Sequence, residues 1–160
     1  MFDYGGTIHA IYRSQPNKII TFNWPVEGDD PWGTWAYETR FTGKYYGGMI
    51  RGGVSPVLHN GKWYHFFHGA LPTEDEKKIY SLGLTAFENK PPFWITRFTP
   101  KPIDMSGPAK GEGEKANVIF PGGAVFVDGH WAIACGINDA YSEIRFYEEE
   151  MIEEMLVDAQ

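Results

Sequence analysis

The chain has 160 residues, 42% of them hydrophobic and 22% charged, enough apolar material for one buried core and too much for a disordered chain. Lys+Arg 14 against Asp+Glu 21 leaves a net charge of -7, which argues against a phosphate-backbone partner and therefore against nucleic acid. The single cysteine, Cys135, excludes an internal disulfide and a cysteine-rich zinc module, and no apolar run approaches the ~20 residues of a membrane span.

Without a signal peptide ahead of Thr7, a cytoplasmic or virion-associated location is expected, with no membrane contact.

Three stretches repeat one layout: a glycine turn, an apolar strand, a polar loop and a second strand. The first turns at Gly5-Gly6, runs to Arg13 and continues over Ile19–Asn23. Only Met1-Phe2-Asp3 stand before it, so no strand is expected ahead of the turn and the chain should enter its first unit part-way. Trp32 and Trp35 follow, flanking Gly33-Thr34 near Tyr37, Tyr45 and Tyr46. Exposed aromatic faces there suit stacking on sugar rings, with packing between sheets as the competing role.

In the second unit a strand over Val54–Leu58 precedes the hairpin signal Asn60-Gly61. A strand to His68 comes next, then one over Ile79–Phe87, where Tyr80, Leu82, Leu84 and Ala86 alternate with Ser81, Gly83 and Thr85. Phe93–Thr99 reads as a further strand closed by Pro100 and Pro102. Asp104–Lys115, rich in Gly, Lys and Glu, reads as a mobile surface connection. The third unit places a strand over Gly123–Val127 before the Asp128-Gly129 hairpin, with strands to Gly136 and over Ser142–Tyr147. Glu148–Leu156 reads as an acidic helix whose Met151, Ile152, Met155 and Leu156 form an apolar stripe docking on the last unit.

The turn residues Gly6, Gly61 and Gly129 recur at the spacing of propeller blades. The expected fold is therefore one all-β domain, a partial β-propeller of about three antiparallel blades. Its units cover about 1–50, 51–103 and 116–147, with the helix over about 148–157. Blades leave faces and edges open at each end, so a homo-oligomer or a complementing protein chain is expected, for example two copies in one ring of six blades.

Several residues carry chemistry. The planar fork of Arg13 suits a phosphate or carboxylate. Arg51 precedes Gly52-Gly53, where the backbone approaches something closely, a sugar or another strand. His65 and His68, three apart on one strand, point to opposite faces, so no metal site is expected. Among the isolated acids Asp75, Asp104, Asp128 and Asp139, the last follows a strand in a polar loop and is the best catalytic candidate. Glycoside cleavage needs two carboxylates, or one acid and a bound phosphate, and no second acid stands at a convincing place.

Arg51-Gly-Gly-Val-Ser-Pro-Val57, Trp63–Gly69, Tyr80-Ser-Leu-Gly83, Pro91-Pro-Phe93, Ile95–Ile103, Asn117-Val-Ile-Phe-Pro-Gly-Gly-Ala124 and Gly136-Ile-Asn-Asp139 occur in a familiar order. This order resembles the C-terminal half of the five-bladed propeller glycosidases and phosphorylases of glycoside hydrolase family 130, the β-mannoside phosphorylase group. It also resembles the glycosidase-like propellers found beside glycosyltransferases. The resemblance implies that Arg13, His68, Tyr80 and Asp139 line a central sugar or phosphate cavity. It also implies phosphate as a co-substrate where chemistry occurs, with no other cofactor. The family's catalytic Asp lies on an early blade with no match here, so activity is left open. The expectation is a truncated, glycan-binding module with Arg13, Arg51, His68, Tyr80, Asp139, Trp32 and Trp35 as ligand residues. The alternatives are a glycoside phosphorylase or hydrolase completed by a partner or second copy, and a structural protein such as a viral particle component.

Overall fold

The computed structural model describes residues 1–14, 17–22, 32–39, 50–72, 78–108 and 117–159, with only the backbone of 17, 32–39, 71 and 72. Glycine pairs and Asx-Gly pairs set the hairpins. Asn60-Gly61 (φ 47° and 73°) and Asp128-Gly129 (φ 48° and 76°) both hold two successive positive φ values, the backbone of the tight turn that matches strand twist.

Among the described residues three antiparallel sheets result. The first orders β1 (Phe2–Tyr4), β2 (Thr7–Ser14), β3 (Asn17–Phe22) and β4 (Trp32–Thr39) side by side. β1 corrects the expectation that nothing precedes the first turn. Phe2 pairs with His9 and is buried against Trp63, Phe87 and Phe93, so three residues suffice because one of them is anchored in the core.

The middle sheet contains β5 (Ile50–Gly53), β6 (Val57–His59), β7 (Lys62–Pro72), β8 (Lys78–Glu88), β9 (Ile95–Phe98), β10 (Asp104–Met105) and β14 (Val157–Asp158). Its main path is β14-β9-β8-β7-β5, with β6 on β7 and β10 on β8. The strand expected over Val54–Leu58 begins only at Val57. Pro56 has no N–H to give a ladder, and the Val54 N–H bonds the Phe66 carbonyl at a bend. The third sheet is β11 (Ile119–Val127), β12 (His130–Ile137) and β13 (Tyr141–Glu148), followed by α1 (Glu149–Met155).

The middle sheet is buried on both faces, which is why β7 and β8 read as near-continuous apolar runs. Tyr64, Phe66, Leu82, Leu84 and Ala86 pack against Ile119, Trp131, Ile133, Cys135 and Ile137 of the third sheet. Trp63 and Phe87 pack the other way, against Phe2 and Ile19 of the first, with Phe93 between. Among the described residues this all-β stack with one short helix is the expected partial, propeller-like arrangement.

Two segments go beyond expectation. α1 packs on the last unit it follows, with Ile152 and Leu156 in one core with Trp131 and Tyr147, and it is also tied to the middle sheet. Glu153 accepts from the Tyr64 hydroxyl at 2.7 Å and from Arg97, and Arg97 also donates to the carbonyls of Glu153 and Leu156. The chain then returns as β14 on β9. At Asp104, where a mobile connection is expected, β10 pairs with Leu82 and Ser81. The Asp104 carboxylate accepts from Arg145 and from the Tyr147 hydroxyl, each at 2.7 Å, so it ties the two sheets together. The rest of that connection, 109–116, lies outside the described residues, as do Asp75, Tyr45 and Tyr46.

Candidate functional site

One end of the stack gathers the C-terminal half of β7, the start of β8, the start of β11 and the β12–β13 turn. β7 pairs with β8 so that His68 lies opposite Leu82 and Ala70 opposite Tyr80, and β5 sets Arg51 opposite His68. The His68 ring lies 5.8 Å from the Tyr80 ring and 4.5 Å from that of Phe120, which comes from β11. His68 is buried, whereas Phe120 is half exposed and Arg51 exposed.

Burial holds the His68 ring below the ordinary histidine range, the Arg51 charge adds to that, and a hydrogen bond to the Gly52 backbone opposes it. The ring is therefore neutral near pH 7. Its Nδ1 is buried without a hydrogen-bond partner. With the other nitrogen's proton given to Gly52, Nδ1 carries the lone pair and is an acceptor.

The turn bearing Asp139 is tied to the same end. The Tyr80 N–H donates to the Asn117 carbonyl, the Asn138 N–H to the Val118 carbonyl, and the Asn138 Oδ1 accepts from Ser106 and the Val118 N–H. Asp139 is exposed there with φ at 53°, a conformation that Asn and Asp tolerate, so the turn itself accounts for the residue type.

Arg51, His68 and Tyr80 thus converge, and Asp139 lies on a turn laddered to them. Arg13 does not join by any described contact. A bulge at Tyr12 in β2 sets Arg13 opposite Lys18 on the exposed face of the first sheet. Trp32 and Trp35 lie on β4, opposite Phe22 and Ile20, and their side chains fall outside the described residues. Phe120 is the residue that sequence reasoning missed. It lies ahead of the strand expected over Gly123–Val127, which begins already at Ile119, and nothing in the sequence tells that its ring meets His68.

The close approach at Gly52-Gly53 has its partner. A Cβ on Gly53 would overlap the Phe66 carbonyl oxygen and lie 2.7 Å from the Phe67 Cα, whereas Gly52 faces open space. A neighbouring strand, not a ligand, requires that glycine. His65, on the opposite face of β7, is fully enclosed, and burial with the nearby N-terminal charge pushes it down to about 3. Cys135 is a core thiol that burial pushes up to about 11. Among the described residues no group of three His, Cys, Asp or Glu could hold a metal ion, and no helix is long and apolar enough to cross a membrane.

No family model matches the sequence, and neither does any curated protein. Among solved structures the fold is similar to a beta-1,2-mannobiose phosphorylase from Listeria innocua, solved in complex with beta-1,2-mannobiose. The TM-score is 0.68 at 19% identity, over 96% of this chain and 44% of that one. The chain therefore spans less than half the length of the structure it matches. At that identity the likeness shows the fold, a glycosidase- or phosphorylase-like β architecture.

Proposed function

We propose that the chain is a carbohydrate-recognition module whose sugar site is the end where Arg51, His68, Tyr80 and Phe120 converge. The carrying observation is the buried His68 ring between Tyr80 and a half-exposed Phe120, with one acceptor nitrogen unpaired. Aromatic faces suit the C–H face of a pyranose, and a sugar hydroxyl admitted beside Phe120 would supply the hydrogen bond that Nδ1 lacks. Arg51 offers donors to hydroxyls or to phosphate, and Asp139 a strong acceptor. The reading is one of recognition. Two carboxylates flanking a bond, as hydrolysis requires, are not assembled among the described residues of this end.

Calorimetry with beta-1,2-mannobiose, with and without inorganic phosphate, tests it. His68→Ala and Arg51→Ala should each weaken binding about tenfold, the cost of one strong hydrogen bond. Wild-type chain without heat of binding up to millimolar disaccharide would remove the sugar site. Turnover of the disaccharide that disappears in Asp139→Asn would replace recognition by catalysis.

A further inference from the structure

Two Asx-Gly hairpin turns meet at one residue. Asn60-Gly61 joins β6 to β7 and Asp128-Gly129 joins β11 to β12, with almost the same pair of φ values. Glu149, the first residue of α1, reaches both. Its N–H donates to the Gly129 carbonyl at 3.0 Å. Its carboxylate Oε1 accepts from the Asn60 amide Nδ2 at 3.1 Å and lies 2.6 Å from the His59 Nε2. Turn chemistry alone admits Asp as readily as Asn at position 60, as Asp128 shows. The Glu149 carboxylate is what calls for the amide, because an amide donates and a carboxylate cannot.

The same dipeptide is chemically labile. An asparagine can close a five-membered imide on the nitrogen of the next residue, and a side chain on that residue obstructs the closure. Gly61 has no Cβ, and an atom placed there would meet nothing within 4 Å. The bond that closes a two-residue turn joins His59 and Lys62, which leaves the Gly61 N–H out of the ladder. Both residues are exposed, so water and base reach them. Of the asparagines in the chain, Asn60 alone precedes a glycine. Asn117 precedes the branched Val118. Asn138 is buried with both ends of its side chain bonded, Oδ1 to Ser106 and the Val118 N–H, Nδ2 to the Pro108 carbonyl.

We propose that Asn60 is a deamidation site whose product releases the start of α1 from the β6–β7 turn. The Gly61 nitrogen, its proton lost to base, forms a bond to the Asn60 Cγ. The Cγ–Nδ2 bond breaks, and the amide nitrogen takes up a proton and leaves as ammonia. Water then adds to one carbonyl of the imide and the C–N bond at that carbonyl breaks. Opening at Cγ leaves aspartate, and opening at the backbone carbonyl leaves isoaspartate. Overall one water is consumed and one ammonia released, with no change of oxidation state. Either product sets a carboxylate against Glu149 where an amide donated. Isoaspartate also adds a backbone atom to the turn that fixes the register of β6 on β7. In the intact chain the Asn60–Glu149 bond restrains the amide, and ring closure has to break it first.

Peptide mapping of the folded chain held at mildly alkaline pH tests the site, with circular dichroism confirming the folding of each variant. Asn60 lies in the tryptic peptide 52–62, which holds no other asparagine. Against a zero-time sample, that peptide should gain acid at Asn60, partly as isoaspartate, about tenfold faster than peptides carrying Asn117 or Asn138. Glu149→Ala frees the amide and should speed conversion about threefold, whereas Glu149→Gln keeps an acceptor oxygen and should stay near the wild-type rate. Asn60→Asp keeps the turn, as Asp128 does, and should speed amide exchange in α1 about threefold to tenfold. Asn60→Gly removes the donor without adding charge and should fall between that variant and wild type. Conversion no faster than at Asn117 or Asn138, or aspartate without isoaspartate, would overturn the site. A Glu149→Ala rate equal to wild type would overturn the restraint, and unchanged exchange in Asn60→Asp the release of α1.

Discussion

Gly52 and Gly53 look interchangeable in the sequence, and the structure separates them. Gly53→Ala forces β5 away from the Phe66 carbonyl and is expected to cost about 3 kcal/mol, at the upper end of overpacking changes, read by chemical denaturation. Gly52→Ala meets no atom and should stay within about 1 kcal/mol of wild type. The histidines give a second contrast. His65, His68 and His9 are all held below the ordinary range chiefly by burial. Each takes up its proton more readily when unfolded, so stability is full above the unfolded pKa near 6.5 and falls as pH drops below it. For His65 the loss continues to about pH 3, at up to about 1.4 kcal/mol per pH unit. Denaturation midpoints compared between pH 7.5 and 4.5 should fall less in His65→Gln than in wild type. An equal fall in both would show that His65 does not drive the acid limb.

The hairpins were the elements most readable in the sequence, because Asn-Gly and Asp-Gly carry their backbone geometry in two residues. β1, β10 and β14 were not readable. Each has only two or three residues, too few for periodicity, and exists because a neighbour holds it: Phe2 in the core, Asp104 on Arg145 and Tyr147, β14 along β9. The helix was readable from its stripe, but its tie to the middle sheet was not, since that depends on Arg97 and Tyr64 on distant strands. Arg97 binds the end of α1 with one guanidinium, donating to the Glu153 side chain and to the Glu153 and Leu156 carbonyls. Arg97→Ala should therefore cost about 2 kcal/mol and speed amide exchange in 152–156, while Arg97→Lys should recover less than half. Unchanged exchange there would mean that Ile152, Leu156 and the Tyr64–Glu153 bond hold the helix without Arg97.

Across the whole molecule, the repeat of glycine turns was enough to expect a stack of antiparallel sheets. The reading of His68 and Tyr80 came from the resemblance and that of Arg51 from the two glycines after it, and neither route tells where Arg13 faces on its strand. A one-residue bulge at Tyr12 turns it onto the outer face, and no pattern of residue types announces a bulge. The return of β14 to β9 also orders events in time. A growing chain emerges N-terminal end first, so the β9 edge is made early and its pairing strand only after β11, β12, β13 and α1 have been synthesised. Throughout that interval the outer backbone groups of Ile95–Phe98 lie open to any other nascent strand. The middle sheet is thus last to be sealed, and the hazard of mispairing during translation concentrates on those four residues.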